Sequence, residues 1–312
     1  MLRQVIDTFE VLDSPRASGA SVRALLVEAG AEEVEVTTVE GEGGRTDFVR
    51  LRIAGSDGKS VGGRAATVGI IGRLGGVGAR PEMTGFVSDG DGAWVAIAAG
   101  LKLTGMRREG DLLRGDVIVA THVCPNAPTR EHFPVPFMTP PVSSAVCDQQ
   151  QVDPAMDVLL SIDTSKGNKT VNHRGFAISP TVKDGYILKV SDDLVEIMMR
   201  TTGQMARVFP LSQQDITPYG NGVDHINSIM QPAVATDKPV VGVAITAETP
   251  VPGCGTGASH PFDIEQAARY VVEVAKEVGE GRCRFYDEEE YALLQRLYGS
   301  QARFRALGSP SE

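Results

Sequence analysis

With 312 residues, 42% hydrophobic and 22% charged, the chain has the make-up of an ordinary globular protein with length enough for a large core. A net charge of −10 excludes nucleic acid and anionic membrane surfaces as natural partners. No apolar run approaches the ~20 residues that span a bilayer. The opening MLRQVIDTFEVLDSP carries acids where a secretory signal would be apolar. Cys124, Cys147, Cys254 and Cys283 stand far apart with no CxxC pair. A reducing cytoplasm is the expected compartment.

Residues 19–30 are predicted as a helix closing on Gly30, from the spacing of Val22, Leu25, Leu26 and Val27. Alternating runs predict strands at 33–39 and 47–54, joined by the glycine turn EGEGG. The run ATVGIIG at 66–72 is apolar on both faces and predicts a central strand. SDGDG then turns the chain into a helix over 92–103, and GDVIVATHV predicts a buried strand at 115–123. A proline-rich loop leads to a helix or turn near 152–157 and a strand at 158–164. Beyond lie a short strand at 183–191, an amphipathic helix from Asp192, a buried strand at 239–246 and a long helix at 264–278. DEEEYALLQRLYG supplies a last helix, and GSPSE should fray. Strands alternating with helices, several of them apolar on both faces, predict an α/β fold. The expected form is a three-layer αβα sandwich with a mostly parallel central sheet, one domain over 1–312.

Glycine and proline concentrate in IGRLGGVGARPEMTG, CPNAPTREHFPVPFMTPPV, DITPYGNG and TPVPGCGTGASHP. Long irregular loops in a compact fold are where function collects. Ligands of α/β folds bind where strands end and loops diverge, so the polar strand ends are the candidates. Asp89, Asp91, Asp163 and His260 are candidate ligands of one divalent cation, zinc or manganese. His122, or His225 oriented by Asp224, is the candidate base. Arg73, Lys166, Asn221 and Cys254 are candidate substrate contacts, Arg73 offering a fixed fork for a carboxylate. Plainer readings stand beside each. An Asp before a helix is an ordinary N-cap, Asp163 suits a turn through SKGNK, and a strand-end His122 is more often simply hydrogen-bonded. His132 and His173 are assigned no role, and the glycines of 69–76 do not open a helix as a dinucleotide loop would.

The order of segments resembles the co-catalytic zinc aminopeptidases of the phosphorylase/hydrolase-like fold. DGDGAWVA, Asp89 to Ala96, matches that family's D-D-x-x-x-G-V-A turn with Asp89 in the bridging position, and Asp163 in LLSIDTSKG matches a second ligand. GVDHINSIMQPAVATDKPVVGVAI resembles the S-D-H stretch and the strand after it. The resemblance implies a peptidase-like fold over roughly 20–278, but the family's H-x-D is here Arg73-Leu74-Gly75. Its Glu-Glu pair is replaced by Cys124-Pro125-Asn126, and its last His falls to Cys254 or His260. Two of five expected ligands survive and the base is missing, so a conventional two-zinc peptidase is not expected. GRLGGVGARPE, SDGDGA, DTSKGN, QDITPYGNG and HINSIMQPA also resemble, over nearly the whole length, a bacterial family known only as a domain of unknown function.

Three readings follow. The first is a rebuilt metal-dependent hydrolase of small amides, peptides or amino-acid-like acids. The second is a non-catalytic small-molecule binder in which Arg73, paired with Asp89 or Asp163, recognises a zwitterion or carboxylate. The third is a buried salt-bridge network that only fixes loops. A small-molecule ligand is the expected partner, without nucleic acid or membrane, and the fold's relatives imply a homo-oligomer.

Overall fold

The computed structural model describes residues 1–73, 85–131, 133, 135–226, 228–253 and 258–307. Two helices open the chain, α1 at Leu2–Leu12 and α2 at Gly19–Glu28. Nothing in the sequence reading anticipated α1. It is held from inside, because Trp94 donates its indole N–H to the Val5 carbonyl at 2.7 Å. The start of α2 is fixed by a capping box in which Ser18 and Ser21 exchange hydrogen bonds. The predicted pair of strands follows as a hairpin of β1, Glu33–Gly41, and β2, Gly44–Ile53, with Gly41 opposite Gly44.

The central elements come next. β3 is Val68–Gly72, α3 is Asp91–Arg108 and β4 is Val117–Val123. Two short strands, β5 at Thr129–Arg130 and β6 at Phe137–Met138, form a small ladder of their own. The helix or turn expected near 152–157 is a turn, and a helix that was not expected, α4 at Ser144–Gln151 capped by Ser143, precedes it. β7 is Val158–Thr164. β8 at Gly175–Ile178 was not foreseen, and the strand expected over 183–191 is the tight pair β9, Val182–Lys183, and β10, Tyr186–Ile187. α5 is Asp192–Thr202, β11 is Val240–Thr246, α6 is Pro261–Gly279 and α7 is Glu288–Tyr298.

Among the described residues the main sheet has nine strands, in the order β1-β2-β4-β3-β7-β11-β9-β10 with β8 also on β11. The four strands β4, β3, β7 and β11 are mutually parallel. The sheet as a whole is mixed, since β1, β2, β8, β9 and β10 pair antiparallel. Mixed edges on a parallel centre are common in large sheets. Side chains alternate along the central strands. Val68 and Ile70 of β3, Leu160 and Ile162 of β7, and Val241, Val243 and Ile245 of β11 join the larger core with α1, α3 and α6. Ile71, Leu159, Val240 and Ala244 point the other way, into a smaller core with Phe209, Ile229 and Met230. That second face is covered by α4 and the 3-10 turn Ser228–Val234.

This topology creates a switch point. The chain leaves β3 through α3 to β4 on one side, then returns across β3 to β7 on the other. Adjacent parallel strands whose connections depart in opposite directions leave a gap at their carboxyl ends, the switch point where α/β folds bind ligands. Among the described residues, no helix is long and apolar enough to cross a membrane.

Candidate functional site

Five of the predicted residues meet at this switch point. Arg73 leaves the end of β3, and Asp89 and Asp91 flank the start of α3. Asp163 ends β7, with Lys166 three residues on. All five are buried, none more than 3% exposed.

The plain capping reading of the two aspartates does not describe them. The N-cap of α3 is Gly90, with no side-chain cap. Asp89 instead accepts the Met138 N–H at 2.7 Å, tying β6 to the site. Asp91 receives Lys166 Nζ on one oxygen and Ser259 Oγ at 2.5 Å on the other. Lys166 donates as well to the Ala258 carbonyl at 2.7 Å. Asp163 takes its own neighbour's N–H, from Thr164, and Ser228 Oγ, both at 2.7 Å. Each carboxylate therefore gathers a different loop onto the strand ends.

Arg73 does not pair with Asp89 or Asp163. It donates Nη1 to Asp148 at 2.9 Å and Gln151 at 3.0 Å, both on α4. Its Nε is buried without a partner, as is Thr164 Oγ1 beside Asp163. Asp148 and Gln151 escaped the sequence reading. Their i, i+3 spacing puts them on one helical face, a signal available only once α4 is recognised in its proline-rich surroundings.

Close backbone approach explains the glycines here. A Cβ on Gly92 would stand 2.5 Å from the Ile162 carbonyl oxygen and 2.7 Å from that of Arg73. Only glycine lets the first turn of α3 rest on the ends of β3 and β7. Gly92→Ala is expected to cost about 1–3 kcal/mol through forced backbone shifts, read as a lower midpoint in urea unfolding. An unchanged midpoint would mean the junction is loose.

Removal from water sets the electrostatics. Burial lifts Asp89 to about 7 against the opposing Met138 N–H, with Asp163 and Asp91 adding repulsion. Burial likewise lifts Asp163 to about 6, opposed by the Ser228 hydrogen bond and by Arg73. Asp148 is pushed to about 6 by burial, against the pull of Arg73. Asp91 is also raised by burial, although Lys166 restrains it. For Arg73 burial works downward but is outweighed by Asp148, Cys147 and Asp163, so its charge is secure. Four carboxylates face two cations, and the cluster carries excess negative charge when fully ionised.

The remaining candidates lie apart from this cluster. His122 is buried on β4, its Nδ1 2.8 Å from Thr46 Oγ1 and its ring 5.3 Å from that of Phe48. Burial, helped by Arg73, drives it down to about 3, a neutral imidazole too weakly basic for a general base near neutrality. His225 closes its own loop, with Nε2 2.9 Å from the Thr217 carbonyl oxygen and Nδ1 3.1 Å from that of Val223. Asn221 donates to Thr217 Oγ1 in the same loop, and Asp224 is exposed. His260 is exposed at the N-cap of α6 while its neighbour Ser259 reaches Asp91. Cys254 and His132 lie outside the described residues.

Asp89, Asp91, Asp163 and His260 are the candidate ligands of a metal ion. Among the described residues, no three His, Cys, Asp or Glu side chains are grouped to hold one. Asp91 has both oxygens engaged, and the Lys166 ammonium already supplies the positive charge that a cation would bring.

Two further residues belong to the site and were not singled out from the sequence. Ser228 donates to Asp163, and Tyr219 lies beside it with its ring tilted against that of His225, centroids 4.5 Å apart. Both stand in PYGNGVDHINS, a loop marked by its glycines, but neither residue type announces itself there.

The architecture defines an α/β protein with a buried, carboxylate-rich cluster at its switch point. The chain belongs to the DUF1177 family, described as a protein of unknown function, whose profile matches residues 37–308. No curated protein matches it in sequence. Among solved structures, a point mutant of tomato leucine aminopeptidase is similar at 11% identity and a TM-score of 0.48. The comparison covers 87% of this chain and 61% of the tomato chain, so this chain spans less than two thirds of that length.

Proposed function

We propose that this chain is a hydrolase-type enzyme acting on a small amide, peptide or amino-acid-like molecule at the β3–β7 switch point. The observation that supports this reading is the meeting of Asp89, Asp91 and Asp163 with Lys166 at the switch point, none of the aspartates being used to cap α3. Asp163 is the proton acceptor and Asp89 its carboxyl partner. Desolvated carboxyl groups of this kind exchange protons near neutrality, which an exposed aspartate cannot do. Lys166 and Arg73 position Asp91 and α4 respectively. The excess negative charge favours a substrate bearing an ammonium group. No step is assigned to a metal.

Chromogenic amino-acid amides, esters and short peptides provide the test. Wild-type turnover is expected, with Asp163→Asn reducing kcat by ~10²–10⁴, the usual worth of a positioned proton acceptor, with no fall in melting temperature. Turnover that survives in Asp163→Asn would remove this residue from catalysis.

A second reading has one specific support. The unpartnered donors Arg73 Nε and Thr164 Oγ1 suit a ligand that brings oxygen acceptors, as a bound zwitterion would. Amino acids that raise the melting temperature of a chain inert on every substrate would favour binding without catalysis.

A further inference from the structure

We infer that Ser228 is the nucleophile of this site, activated by Asp163, and that the substrates are acyl compounds whose acyl group passes through Ser228 Oγ. The inference rests on the hydrolase reading and names the residue on which the chemistry takes place.

Accessibility is the first argument. Asp91 and Asp163 are fully buried, and Asp89, Arg73 and Lys166 are nearly so. A substrate arriving from solvent cannot touch them without meeting the loop above. Ser228 is half-buried on that loop, and Tyr219 beside it is 39% exposed. Ser228 carries the hydrogen-bonded path from Asp163 toward the surface. The second argument is geometric. Ser228 Oγ donates to Asp163 Oδ2 at 2.7 Å, the distance at which a base takes a proton from a nucleophile. A carboxylate kept from water is a stronger base than one in solvent. Asp163 is itself held in place by the Thr164 N–H at 2.7 Å.

The step balances without a co-reactant other than water. Ser228 Oγ forms a bond to the carbonyl carbon while its proton passes to Asp163 Oδ2. The bond to the leaving amine or alcohol breaks, and that group takes the proton from Asp163. Water then cleaves the acyl-serine ester, giving its proton to Asp163 and restoring Ser228 with release of the acid.

A fluorophosphonate probe tests this without knowledge of the natural substrate. The full chain, Ser228→Ala, Ser228→Cys, Asp163→Asn and Tyr219→Phe would be treated, then read by intact mass and peptide mapping. Melting temperatures would accompany each variant. One adduct on Ser228 is expected in the wild type, absent in Ser228→Ala and formed at least tenfold more slowly in Asp163→Asn. Ser228→Cys keeps the side chain's place and should be alkylated by iodoacetamide at position 228, more slowly when combined with Asp163→Asn. An adduct on another residue, no adduct at all, or a rate indifferent to Asp163→Asn would overturn the inference. If the amide panel shows turnover that Ser228→Ala retains and Asp163→Asn loses, the nucleophile assignment fails while the hydrolase reading stands.

Discussion

Lys166→Met is expected to lower the unfolding free energy by about 3–5 kcal/mol, the usual penalty for breaking a buried ion pair by removing one partner. Lys166 is 2% exposed and Asp91 fully buried, so water cannot replace the lost ammonium. Ser259 would remain on the other oxygen, but a single neutral hydroxyl does not compensate a charge. The loss should shrink at low pH, where Asp91 takes up a proton. Asp91→Asn combined with Lys166→Met should recover a large part of the stability, because the stranded charge is gone. Urea unfolding of both singles and the double closes the cycle. Strict additivity would show that the two side chains do not depend on one another.

A second large effect concerns pH. An aspartate in the unfolded chain titrates near 3.9, whereas folded Asp89 holds its proton up to about 7. Between those values the folded state binds more protons than the unfolded state. The contribution of Asp89 to stability is therefore greatest below the unfolded value, falls as pH rises through the window, and levels off above about 7. Asn at position 89 keeps an oxygen for the Met138 N–H and cannot ionise. Asp89→Asn should match the wild type near pH 4 and exceed it at pH 8, by an amount on the order of a few kcal/mol. Asp163 and Asp148, both raised to about 6, act in the same direction in the wild type. His122, lowered to about 3, acts oppositely, adding stability as pH rises toward the ordinary histidine value. The difference between variant and wild type isolates Asp89 from these. A variant no more stable than the wild type at pH 8 would show that Asp89 ionises freely.

Periodicity and breakers in the sequence determined the main frame by themselves. Strands buried on both faces, such as 68–72 and 240–246, are continuous apolar runs, and α6 shows a clear stripe. Local chemistry carries that information: alternation, caps and glycines act within a few residues of where they stand. Elements that lean on distant partners were hidden. α1 is pinned by Trp94, 89 residues on, and β8 is a strand because it pairs with β11. α4 is a helix inside a loop whose composition argues against one.

The same division runs through the candidate site. That Arg73, Asp163 and Lys166 follow strands and that Asp89 and Asp91 precede a helix could be read from the chain, since the apolar runs fix where those elements stop and start. Their pairing could not. Arg73 reaches Asp148 rather than Asp89, Lys166 reaches Asp91, and Ser228 reaches Asp163 across 65 residues. Strand order decides these partners, because only the β4-β3-β7 arrangement brings the ends of β3 and β7 side by side. Burial decides their charge: a carboxylate near 4 in water moves toward neutrality once the surrounding loops close over it. Sequence fixes which groups are present and at which end of the sheet. Which of them touch, and which are kept from water, depends on contacts between segments far apart in the chain.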